Sequence, residues 1–132
     1  MNAAMVQQGD QIPHFSVGTV DGSRARYAEI WQRKNLVLVS LPLESRTAGV
    51  PEYAAALMRQ VGDISALDGH LVVTFDPIPN LPCPGVVVAD RWGEIYFVAG
   101  APNVPALPPP DEILEWLHYV ANECPECQGE TR

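Results

Sequence analysis

Lysine is almost absent from this sequence: Lys34 stands alone beside seven arginines, against sixteen acidic residues, for a formal net charge of −8. Binding a phosphate backbone draws on Lys and Arg to displace counterions, so a nucleic-acid partner is not expected. An anionic membrane surface is disfavoured for the same reason. Long apolar runs are missing too. The longest are a few residues, far short of the roughly 20 needed to span a bilayer, so no membrane span is expected. No basic stretch followed by an apolar one opens the chain, which argues against a cleaved signal peptide, and a cytoplasmic location is the expectation. No glycine-rich loop of the kind that cradles phosphate is present. Cysteine is scarce and odd in number, at three, which excludes a secreted disulfide scaffold.

What remains is ample for one packed core. The chain has 132 residues, of which 47% are hydrophobic and 18% charged, the range of a single ordered domain. Its charge is unevenly spread. Residues 1–66 carry six basic and six acidic side chains, whereas residues 67–132 carry two basic and ten acidic. The whole excess therefore lies in the second half, where its ordinary role is solubility.

The hydrophobic pattern yields an element order. Residues 14–20 alternate and run into Asp21-Gly22, a hairpin signal, with a return strand through about Tyr27. Residues 27–33 suggest a brief helix placing Ile30 and Trp31 inward. Residues 36–41 form the near-continuous apolar run of a strand buried on both faces. From Pro51 to Val61, Tyr53, Ala54, Leu57, Met58 and Val61 fall at helical spacing, with Pro51 suited to a first turn. Residues 71–75 read as a second buried strand, and residues 86–89 and 95–98 as a hairpin about Asp90–Gly93. Proline clusters at 77–84 and 102–110 read as loops. Residues 111–123 carry Ile113, Trp116, Leu117 and Val120 on one helical stripe, with Asp111 and Glu112 at its positive end. The sum is one α/β domain: a central mixed β-sheet flanked by helices, with an N-terminal β-hairpin and a β-α-β crossover. This is a thioredoxin-like arrangement.

Particular residues carry a resemblance beyond that order. Gly9-Asp10-Gln11-Ile12-Pro13-His14-Phe15, then Val20-Asp21-Gly22, resembles the opening of the AhpC/TSA peroxiredoxin and redoxin family, which begins G-x-x-x-P-x-F and has an Asp-Gly turn. Asp90-Arg91-Trp92-Gly93-Glu94-Ile95 resembles that family's D-x-x-G-x-I hairpin. The separation from Pro84 to Asp90 is similar to that from the fold's cis-proline to the same Asp. The resemblance spans residues 9–123 and implies a thioredoxin-like domain over 1–123, with 124–132 left as an acidic tail. It also implies thiol-redox chemistry, and if the chain is an enzyme, an oxidoreductase of the peroxiredoxin-like type. One departure is plain. The family's reactive cysteine belongs in the loop after the first central strand, and here residues 42–50 contain no cysteine. Arg46 and Thr47 are similar to the Arg and Thr that position peroxide in the family, and both also suit a helix cap.

The thiols present lie elsewhere. Cys83 directly precedes Pro84, in a loop that the resemblance places beside Ser45 and Arg46, where an adjacent Arg would favour a thiolate. Cys124 and Cys127 form a C-x-x-C. It follows a helix C-terminus and is flanked by Glu123, Glu126 and Glu130, a setting that raises thiol pKa values but attracts cations. Two such tails would complete a four-thiolate zinc site and clasp a homodimer; His118 is an intrachain alternative ligand. A dithiol switch and an inert or partner-binding tail stay open. His14 and His70 lack a nucleophile or orienting partner and read as structural. Two functions follow: a thiol-redox-related role through Cys83 or the Cys124/Cys127 pair, or a non-catalytic binding or assembly module.

Overall fold

The computed structural model describes residues 5–42 and 49–122. A four-stranded sheet in the order β4-β3-β5-β6 forms the centre, built from β3 (Asn35–Ser40), β4 (Gly69–Thr74), β5 (Gly85–Ala89) and β6 (Ile95–Gly100). Strands β3 and β4 are parallel, with Val37 opposite Leu71, while β5 pairs antiparallel with both β3 and β6. The parallel pair needs a crossover, supplied by α2 (Val50–Met58) and α3 (Val61–Ala66). A separate hairpin, β1 (Ser16–Gly18) with β2 (Arg24–Arg26), precedes the sheet and leads into α1 (Tyr27–Ile30). The chain closes with a 3-10 turn at Val104–Ala106 and α4 (Pro110–Asn122).

Every residue of β3 and β5 is buried, and strand alternation divides them between two cores. Val37, Val39, Leu41, Val73, Val86 and Val88 pack on Leu57, Ile64, Ile113 and Leu117 of the helices. Leu36, Leu38, Val72, Val87 and Ala89 pack on Ile12, Val17, Ala25, Tyr27 and Ile30 of the N-terminal part, with Ile78 and Leu81. Between Val88 and Ala89 the β5–β6 register slips by one residue, so that Val88 lies opposite Phe97 and Ala89 opposite Ile95, with Tyr96 as the extra residue between them. That bulge turns both Tyr96 and Phe97 toward the helical core. There Phe97 stacks on Trp116 at 5.0 Å, and Tyr119 meets Trp116 and Tyr96 edge-on at 5.9 and 6.1 Å.

The fold class expected from the sequence is observed, with three differences of detail. The helix expected over 51–61 is two helices, because the backbone at Gln60 (φ −96°, ψ 4°) leaves the helical track. The break turns α3 so that Ile64 reaches Gly69, and Met58 and Val61 consequently sit 43% and 40% exposed. Trp31 is 37% exposed rather than inward. Successive helical residues lie about 100° apart, and Ile30 takes the inward position. Its indole is nonetheless tied down, donating from Nε1 to the Trp92 carbonyl at 3.2 Å.

Tyr27 is 1% exposed, stacks on Phe15 at 5.3 Å, and meets His14 edge-on at 5.0 Å. Its hydroxyl has no hydrogen-bond partner among the described residues. Burial, and secondarily the charge of Asp90, pushes its pKa from near 10 up to about 12. Burial, and secondarily Glu112, does the same to Tyr53, also to about 12. Both folded-state values lie above the unfolded ones, so the unfolded chain loses these protons first and stability falls as pH rises. Their contribution should be intact below pH 10 and be lost between about 10 and 12. Tyr27→Phe should lose less over that window in urea melts. At neutral pH it should be neutral or stabilising by about 1 kcal/mol, since an unpaired buried hydroxyl is removed.

Candidate functional site

The C-terminal end of β3 faces the start of β5, where Ser40 pairs with Gly85. Cys83 and Pro84 immediately precede Gly85, which places them at the same end of the sheet as Leu41, which follows β3. The Cys83–Pro84 peptide bond is cis, at the position whose separation from Asp90 is similar to that of the fold's cis-proline. The loop presses closely on the strands beside it. A Cβ on Gly85 would meet the Pro82 carbonyl oxygen and would stand 2.6 Å from Pro82 Cγ, and one on Gly100 would stand 2.8 Å from Pro82 Cβ. The Ala101 N–H donates to the Pro84 carbonyl at 3.3 Å. Glycine at 85 and 100 is what lets this loop lie against the sheet.

Cys83 is an exposed free thiol. Desolvation pushes its pKa up from the ordinary value, with no charged group among the causes. Arg46 and Thr47, the expected peroxide-positioning pair, lie outside those residues, as do Cys124, Cys127 and the 124–132 tail. On the helix side of this end, a cavity of about 270 Å³ is lined by Gly49, Glu52, Tyr53, Ala56, Val104 and Pro105. The Tyr53 hydroxyl donates to the Pro108 carbonyl and anchors the segment before α4 there. Among the described residues no group of three or more His, Cys, Asp or Glu side chains gathers to hold a metal. None of the described helices is long and apolar enough to cross a membrane.

The turn residues Asp90 and Gly93 lie at the opposite end of the sheet, where β5 finishes beside Leu36 at the start of β3. The buried Asp90 carboxylate accepts from the Trp92 and Glu94 N–H groups through Oδ1, both at 2.9 Å. Gly93 takes φ +88°, the left-handed region that such a turn requires. Onto this turn the N-terminal motif is laid. Gly9 N–H donates to the Ile95 carbonyl at 2.7 Å, Ile95 N–H to the Asp10 carbonyl at 2.9 Å, and Ile12 N–H to the Gly93 carbonyl at 2.8 Å. The two motifs that carry the resemblance are therefore hydrogen-bonded to each other, at the end of the sheet away from Cys83. His14 packs on Tyr27 and Trp31.

One cluster escaped the sequence reading. Arg24, Arg26, Arg33, Lys34 and His70 line a single cleft. The strand spacing of Arg24 and Arg26, on one side of β2 with Ala25 buried between them, was the available signal.

No family model and no curated protein matches the sequence. Solved structures do resemble the fold. Mycobacterium tuberculosis AhpC superposes with a TM-score of 0.67 at 15% identity, over 93% of this chain and 98% of that one. The reduced Plasmodium vivax 2-Cys peroxiredoxin gives 0.66 at 16% identity, over 83% of this chain and 79% of that one. The mitochondrial 2-Cys peroxiredoxin of Plasmodium falciparum gives 0.66 at 11%, over 86% and 94%. The chain has the thioredoxin-like fold found in peroxiredoxins.

Proposed function

We propose that this chain is a redoxin-type protein with a thiol-redox-related role, in which the ordinary peroxide-reducing site has degenerated. The observation that supports it is the placement of an exposed cysteine, Cys83, at the cis-proline loop of a peroxiredoxin-like fold. Desolvation raises the Cys83 pKa, which slows its attack on peroxides and disulfides alike; the step proposed is thiol–disulfide exchange with a partner disulfide. In that step its sulfur, once deprotonated, attacks one sulfur of a disulfide. A mixed disulfide forms and the second sulfur leaves as a thiolate, which takes up a proton from water in place of the one Cys83 lost.

Incubation with oxidised glutathione and intact-mass measurement tests this. One glutathione adduct, reversed by reductant and lost in Cys83→Ser, is the expected result. An adduct that persists in Cys83→Ser but disappears in Cys124→Ser or Cys127→Ser would move the chemistry to the tail.

The second reading, a non-catalytic binding or assembly module whose tail pair holds zinc or a partner, is favoured by one observation: desolvation raises the Cys83 pKa, which disfavours thiolate chemistry there. No adduct at any cysteine, together with zinc that leaves on acidification, would establish it in place of the first.

A further inference from the structure

Of the eight basic residues in the chain, four line one cleft of about 390 Å³: Arg24, Arg26, Arg33 and Lys34, joined by His70. Their local neutralisation is weak. Arg26 approaches Glu29 at 3.8 Å and Lys34 approaches Asp68 at 3.3 Å, both pairs well exposed and therefore of little energetic weight. Arg24 is held in place by its Nε donating to Ser16 Oγ at 3.2 Å and its Nη2 to the Ser16 carbonyl at 3.3 Å, and among the described residues it makes no ion pair. Burial, with Lys34's charge added, pushes the His70 pKa down, in keeping with a positive field at the cleft.

A second cleft, of about 330 Å³, shares Arg24, Ala25 and His70 with the first and continues it along β4. Its floor is Val20, Leu71 and Val73, and its wall includes the exposed Met58 and Val61. Strand β4 is an edge of the sheet. The Val20 N–H covers that edge at the Val73 carbonyl, at 2.9 Å, and Thr19 bridges Thr74 beyond it. Backbone groups two residues apart on a strand point the same way, so those of Leu71 also face outward. No other described element takes them. An open strand edge, an apolar wall and a run of cations, interrupted by the Glu29 and Asp21 carboxylates, thus lie along one trough.

We propose that this trough binds an extended acidic segment of a partner protein, added to the β4 edge beside Leu71. Main-chain bonds to Leu71 would supply the pairing, as in strand addition generally. Alternate apolar side chains would cover Val20, Met58 and Val61, and carboxylates would meet Arg24, Arg26 and Arg33. Charge complementarity selects the sign of the partner, and a chain of net charge −8 carries few other places where an acidic segment would be welcome. This inference does not depend on Cys83.

The test is fluorescence anisotropy at low salt with a short labelled peptide of alternating glutamate and valine, beside its lysine–valine counterpart. The glutamate peptide should bind and the lysine peptide should not. The Arg24→Glu/Arg33→Glu variant should weaken binding by about tenfold or more, and Met58→Glu should weaken it independently, both with unchanged circular dichroism. Peptide binding should also slow hydrogen exchange at Leu71. Failure of the glutamate peptide to bind, equal binding of the lysine peptide, or binding unaffected by either variant would overturn the proposal. So would competition by inorganic pyrophosphate without protection at Leu71, or binding of a thymidine oligonucleotide in place of the peptide.

Discussion

Asp90→Ala should destabilise the fold by roughly 2–4 kcal/mol, because two N–H groups in a half-buried turn would lose a charged acceptor at once. The Asp90 carboxylate is 4% exposed and closes the β5–β6 turn through bonds to Trp92 and Glu94. Water has little access to replace it. Asp90→Asn keeps an acceptor oxygen and should lose clearly less, so urea melts of the pair separate the hydrogen bonds from the charge. A second readout follows from the same residue. Asp90's charge is one of the two causes that hold Tyr27 at about 12, so in Asp90→Ala the tyrosinate absorbance of Tyr27 should appear at lower pH. Equal stability of all three proteins would refute this account of the turn.

Leu117→Ala should cost about 2–5 kcal/mol, the range for a fully buried leucine whose space cannot be refilled. Leu117 is 0% exposed, and its Cδ2 lies only 2.8 Å from where a Cβ on Gly69 would stand, with Ile64 Cγ2 equally near. The leucine fills a hollow that exists because residue 69 has no side chain. Its removal leaves α3, α4 and the start of β4 around a void whose floor is backbone. Denaturant midpoints give the size of the loss, and a value below about 1 kcal/mol would mean that the helices collapse onto the gap.

The parts of the fold that were legible were those in which one residue's surroundings follow from its near neighbours. The apolar run at 36–41 could only be a strand buried on both faces, and Asp21-Gly22 and Asp90–Gly93 could only turn. The break at Gln60 was not legible, because it is decided by where Ile64 must land against Gly69, a contact between elements. Cys83 and the cis Pro84 were located from the resemblance, whereas the raised pKa of the thiol depends on the packing of its loop. The basic trough was invisible for the same kind of reason. Its cations come from β2 and from the turn after α1, beside His70 of β4, and only the assembled register brings them together. The two motifs that resemble the family proved to be a hydrogen-bonded seam of the scaffold, which is why they disclosed the fold and said little about activity.

That seam also governs the order of events in folding. Gly9, Asp10 and Ile12 join Gly93 and Ile95 across more than eighty residues of intervening chain, so the loop-closure entropy falls due only once the sheet between them exists. The N-terminal strip is therefore expected among the last pieces to dock, so pulse-labelled hydrogen exchange should protect the Gly9 and Ile12 amides after those of β3. By the same reasoning it belongs to one cooperative unit with the β5–β6 turn: when either lets go the other loses its partners, and Tyr27 beneath them meets water.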